Sequence, residues 1–138
     1  MLSTRLLHLC RGIIDRSYHF SQGLYPDGWA SVKFHYMIPA GSGSVTLRGQ
    51  MIDLGKALHG QILTVESRGR ELCSFSPNWG HFEKTFDVPY DLQAKALELD
   101  VFASKSIVPA ASGTSSDHRR LAYQFHEFCW THPLSTKI

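Results

Sequence analysis

Ser116, Asp117 and His118 follow one another in the polar run Gly113-Thr114-Ser115-Ser116-Asp117-His118-Arg119-Arg120, and they are the three residue types of a hydrolytic triad. A triad needs its side chains to converge within hydrogen-bond reach. Neighbours along an extended chain diverge, and no G-x-S-x-G elbow accompanies these three. His126, Cys129 and His132 offer nitrogen and sulfur ligands to a metal. Strand alternation, however, is expected to send Cys129 to the face opposite His126, and no fourth ligand is evident. Asp87 and Asp91 flank Pro89-Tyr90, where solvating a turn is the simpler reading than glycoside hydrolysis. No Walker or G-x-G-x-x-G loop is present, so nucleotide cofactors have no motif to bind. The chain reads as a non-enzyme, without cofactor or metal.

The same polar residues suit recognition better than catalysis. Asp27, in Tyr25-Pro26-Asp27-Gly28-Trp29, and Asp117 both lie in loops, and Arg119 and Arg120 carry planar donors able to grip carboxylates bidentately. Consecutive residues at the start of a strand point to opposite faces, so at most one of the two arginines is expected at any single site. Ser115 and Ser116 can bond nearby backbone. Two roles stay open for this group: fastening the ends of the fold, or contacting a polar ligand. Tyr25, Trp29, Trp79 and Tyr90 border turns, where a ring either offers a flat face to a sugar or plugs the end of a core. Trp79, in Ser76-Pro77-Asn78-Trp79-Gly80, is the best exposed candidate. The candidate ligand contacts are thus Tyr25, Asp27, Trp29, Trp79, Ser115, Ser116, Asp117, Arg119 and Arg120.

The elements that must position these residues follow from hydropathy patterning. Val32, Phe34 and Tyr36 alternate with Lys33 and His35, and Val45 and Leu47 with Thr46 and Arg48. Pro39-Ala40-Gly41-Ser42-Gly43 between them reads as a turn joining adjacent strands. Residues 61–67 and 71–75 flank Arg68-Gly69-Arg70, where Gly69 can take the left-handed conformation of a tight hairpin. Strands are also expected over 81–88, 96–103 and 119–130, with Pro89 ending the first of these. Phe34, Phe82, Phe86, Phe102 and Phe125 are the expected core rings. About seven short strands, without a sustained amphipathic helix, predict an all-β antiparallel sandwich, jelly-roll or immunoglobulin-like. The domain is placed at 16–132, after a helical or extended segment over 1–15 and before a tail over 133–138.

Composition bounds the functional classes. The chain of 138 residues is 43% hydrophobic and 12% aromatic, the profile of one folded domain. Fourteen Lys plus Arg against twelve Asp plus Glu leave a formal charge of +2, too even for a nucleic-acid-binding field. No apolar run approaches the length of about 18 residues that a membrane helix needs, and His8 and Arg11 interrupt the leading apolar stretch that an export signal requires. Cys10, Cys73 and Cys129 are irregularly spaced, which suits reduced thiols in a cytoplasm. Exposed strand edges leave self-association open.

Tyr25-Pro26-Asp27-Gly28-Trp29 early, with Ala103-Ser104, Val108-Pro109-Ala110 and Ser115-Ser116-Asp117-His118-Arg119-Arg120-Leu121 late, resembles the small β-sandwich accessory domain appended to bacterial surface-polysaccharide glycosyltransferases and sugar methyltransferases. The likeness spans residues 24 to 128. It implies a non-catalytic, carbohydrate-associated module that binds glycan weakly through loop aromatics and polar residues. Alternatively, it implies a scaffold partnering a glycosyltransferase, without glycan affinity of its own. Asp27 and Asp117 should then share one rim of the sandwich.

Overall fold

A computed structural model describes residues 23–113 and 115–131. The expectations for 1–15, 133–138 and His132 lie outside these residues. Eight strands form: β1 (Trp29–Ala30), β2 (Lys33–Ile38), β3 (Ser44–Met51), β4 (Leu63–Ser67), β5 (Arg70–Phe75), β6 (Gly80–Asp87), β7 (Leu97–Ala103) and β8 (Tyr123–Thr131). They build two four-stranded sheets, β1-β8-β3-β6 and β2-β7-β4-β5, in which every pairing is antiparallel. This interleaved order of eight strands in two sheets is that of a jelly roll. Only short 3-10 turns interrupt the strands, at Lys56–Leu58, Tyr90–Leu92 and Pro109–Ser112.

Alternation decides which side chains enter the sandwich. On β2, Phe34, Tyr36 and Ile38 point inward, and β3 answers with Val45 and Leu47. Phe34, Phe82, Phe86 and Phe125 are in the core as expected, but Phe102 is not. Its neighbours Val101 and Ala103 take the inward positions of β7, so Phe102 faces outward, where the Lys33 ammonium lies 5.4 Å from its ring centre. The hairpin joining β4 to β5 turns on Arg68 and Gly69, at φ 52° and 81°. Two positive φ values in a two-residue loop make the mirror-image turn that matches strand twist.

The Pro39–Gly43 segment corrects the expectation of adjacent strands. It carries the chain from one sheet to the other, since β2 and β3 belong to different sheets. Trp130 holds this arch by donating from Nε1 to the Pro39 carbonyl at 2.8 Å. Gly41 is needed there because a Cβ would come within 2.4 Å of the Trp130 ring.

A second correction concerns β8. Its pairing with β3 slips at Arg48/Gly49, so that Glu127 opposes Arg48 while Phe125 opposes Gly49, leaving His126 as an extra residue. The bulge shifts the alternation. Phe128 and Trp130 enter the core, and Cys129 pairs with Thr46 on the outer face, the side that His126 also occupies, not the opposite one. Cys129 is disulfide-bonded and Cys73 is a free thiol, so the expectation of three reduced thiols fails. No helix among the described residues is long and apolar enough to cross a membrane.

Candidate functional site

The Tyr25–Gly28 segment is a four-residue turn, with Pro26 supplying its fixed φ and Gly28 N–H donating to the Tyr25 carbonyl at 2.9 Å. Asp27 accepts from the Trp29 backbone N–H at 3.3 Å. A Cβ at position 28 would approach Gln124 Oε1 within 2.8 Å, so glycine lets this turn lie against β8. The loop before β8 is organised by its own side chains. Ser115 Oγ accepts from the Asp117 N–H at 3.0 Å, and Asp117 Oδ1 accepts from the Arg119 N–H at 2.9 Å, an Asx turn. The Asp117 carbonyl takes the Ala110 N–H at 2.8 Å, and Ile107 bridges Leu121.

Arg119 joins the two loops. Its Nε and Nη2 donate to Asp117 at 3.0 and 2.9 Å, and its Nη1 reaches the Asp27 carboxylate at 2.9 Å. Its guanidinium carbon stands 4.9 Å from the centre of the Tyr25 ring. Bonding to Arg119 holds the Asp117 carboxyl well below the usual range, at about 2, and the same bonds push the arginine further up. Asp27 and Asp117 therefore share one rim, and Tyr25, Asp27, Ser115, Asp117 and Arg119 form one constellation with Trp29 beside it.

Three expected residues stand apart from that knot. Arg120 turns away and donates to Ser106 Oγ at 2.9 Å, which agrees with the divergence of neighbouring side chains. Ser116 is exposed and carries no part of the loop bonding described above. Trp79 is 45% exposed and packs edge-on against His59 with 5.1 Å between ring centres. It precedes β6, at the sheet edge opposite β1, and so belongs to a different patch of surface.

Two clefts flank the knot. One, of about 350 Å³, is lined by Leu24, Tyr25, Asp27, Tyr36, Gln124 and His126, among others. The other, of about 330 Å³, runs between Trp29, Leu54, Ile107, Ser115 and Asp117. Sequence gives Tyr36 and Gln124 no signal beyond a place on an alternating strand, and His126 stands out there only as a metal ligand. The His126 and His81 rings lie 5.6 Å apart. Burial, and then the charge of His81, lowers the His126 pKa, with Glu127 opposing. Among the described residues, no group of three or more His, Cys, Asp or Glu side chains is arranged to hold a metal ion. Comparison with family models, curated proteins and solved structures finds no match to the chain.

Proposed function

We propose that the chain is a non-catalytic module that binds glycan weakly at the Tyr25–Arg119 rim, in bacterial surface-polysaccharide metabolism. The observation that carries this reading is the joining of Tyr25 and Asp27 to Asp117 by a single arginine, which aligns an aromatic ring and a carboxylate along an open cleft. Sugars are recognised by that pairing of a flat apolar face with a few fixed hydrogen-bonding groups. Asp117 and Arg119 are occupied with each other, so they position the rim while Tyr25, Asp27 and Trp29 meet the ligand. A shallow site with few anchors predicts affinities from about millimolar to micromolar. The cytoplasmic placement rested on reduced thiols, and the Cys129 disulfide removes that support.

The test is an NMR titration of the labelled chain against a panel of bacterial saccharides. Shifts gathered around Tyr25, Asp27 and Trp29 are expected. Silence across the panel, with capture of a glycosyltransferase by the folded domain, would instead make the chain a protein-binding scaffold.

A further inference from the structure

Tyr36 is only 1% exposed, lines the cleft beside Asp27, and its hydroxyl has no hydrogen-bond partner among the described residues. Buried hydroxyls without partners are uncommon, because burial removes water without replacing it. The ring is not free to seek a partner. Phe125 and Phe128 pack against it with centre distances of 5.0 and 5.8 Å, and Phe34 meets it edge-on at 6.4 Å. A phenylalanine would fill the same packing, so the packing alone does not call for the hydroxyl. Tyr123, whose hydroxyl also lacks a partner among the described residues, sits between Phe34 and Phe82 and does not line this cleft.

The remaining polar groups in the cleft define what fits there. Asp27 is its acidic wall, and the neighbouring Arg119 commits its donors to Asp27 and Asp117. Gln124 supplies an amide, and His126 an imidazole whose protonation both burial and His81 disfavour, with Glu127 as the opposing charge. Among the described residues that line it, none is a lysine or arginine. An anionic ligand would face the Asp27 carboxylate without a free cation among the described lining residues to offset it. A neutral polyhydroxy ring, by contrast, can donate to Asp27 and exchange hydrogen bonds with Gln124, His126 and the phenol. The volume of about 350 Å³ is at the lower end of small-molecule sites.

We propose that this cleft is a subsite for an uncharged pyranose, with the Tyr36 hydroxyl as its buried anchor and Asp27, Gln124 and His126 as its walls. The inference rests on the glycan-binding reading above and sharpens it to a ligand charge and a residue.

The experiment is an amide-shift titration of the full chain at pH 7.5 with methyl glucoside, galactoside, mannoside and N-acetylglucosaminide, and with glucuronate and galacturonate. Neutral glycosides are expected to shift Gly28, Gln124, Phe125 and His126, and the uronates to leave them in place. Tyr36→Phe is expected to weaken neutral-glycoside binding at least tenfold with an unchanged or higher melting temperature. His126→Ala, at an exposed position, is expected to weaken it severalfold without affecting folding. Binding by Tyr36→Phe equal to that of the unaltered chain, or tighter binding of the uronates, would overturn the subsite. Neutral glycosides that shift Trp79 or Trp29 alone would overturn it while leaving glycan binding intact. No shift with any glycoside would overturn both.

Discussion

Replacing Gln61 with leucine tests what holds the site-bearing loop to the sandwich. Gln61 is 2% exposed, just before β4. Its Nε2 donates to the Lys105 carbonyl at 2.8 Å, and its Oε1 accepts from the Lys105 N–H at 2.8 Å and from Ser104 Oγ at 3.3 Å. The amide thus closes a two-way bond with the backbone just after β7, where the chain enters the loop carrying Asp117 and Arg119. Leucine has nearly the same volume and none of these bonds. It leaves a donor and an acceptor of Lys105 unpaired in a partly buried place, at about 1–3 kcal/mol each. The added apolar burial returns roughly 1 kcal/mol. The net loss is about 1–5 kcal/mol, or roughly 4–20 °C of melting temperature for a chain of this size. Thermal denaturation followed by circular dichroism measures it. A melting temperature within about 2 °C of the original would show that water replaces the amide at no cost and that the staple is incidental.

The other predictions concern single groups. Arg68→Asn should raise the melting temperature by up to about 4 °C, because asparagine tolerates the φ of 52° that costs arginine about 1 kcal/mol, and the exposed Arg68–Glu98 pair at 3.2 Å contributes little. Arg68→Val should lower it, and the reverse order would refute the turn assignment. Asp117, held at about 2 by Arg119, should still be ionised at pH 3 in a carboxyl-carbon NMR titration. Its folded pKa is depressed, so its stabilisation is full above the unfolded value near 3.9 and is lost as the pH falls toward about 2. Arg119→Ala should return the carboxyl toward its ordinary value. The Cys73 thiol, pushed up to about 11 by burial, should react slowly with a disulfide reagent at pH 8 in the folded chain and rapidly in denaturant. Equal rates would show that β5 opens freely. His126→Gln should reduce the loss of stability between neutral pH and pH 5, because a depressed histidine pKa favours the unfolded chain as protons bind.

Much of the fold was legible because period-two patterning survives in β2, β4 and β7. The alternation of Phe34 and Tyr36 with Lys33 and His35, and of Leu97, Leu99 and Val101 with charged residues, states both the element and its buried face. The elements that escaped notice lack such a pattern. β1 is two residues long and depends on a turn folding against β8, and the arch over 39–43 resembles any hairpin turn until the Trp130 ring is placed beneath it. Phe102 reads as core by its ring, but its register between the inward Val101 and Ala103 turns it to the outer face. The bulge at His126 cannot be seen in β8 alone, since it arises from matching β8 to β3. Within the site, Asp27, Asp117 and Arg119 stood out by residue type, and sequence could show that they are suited to pair. Gln61 and Tyr36 could not be found that way, because what distinguishes them is the presence or absence of a partner distant in the chain.

On the proposed glycan-binding reading, Arg119 positions the rim and the other residues meet the ligand. A guanidinium bonded to two carboxylates and stacked on a phenol has all three of its nitrogens engaged. Its contribution is to hold Tyr25 and Asp27 before anything binds. Pre-formed side chains lose less freedom on association, which matters most where a site has few contacts with which to offset that loss. Lysine at 119 would keep the charge, but a single ammonium cannot bridge both carboxylates while lying over the ring. A lysine variant that kept the fold yet lost glycan affinity would therefore place the function of this arginine in orientation, beyond its charge.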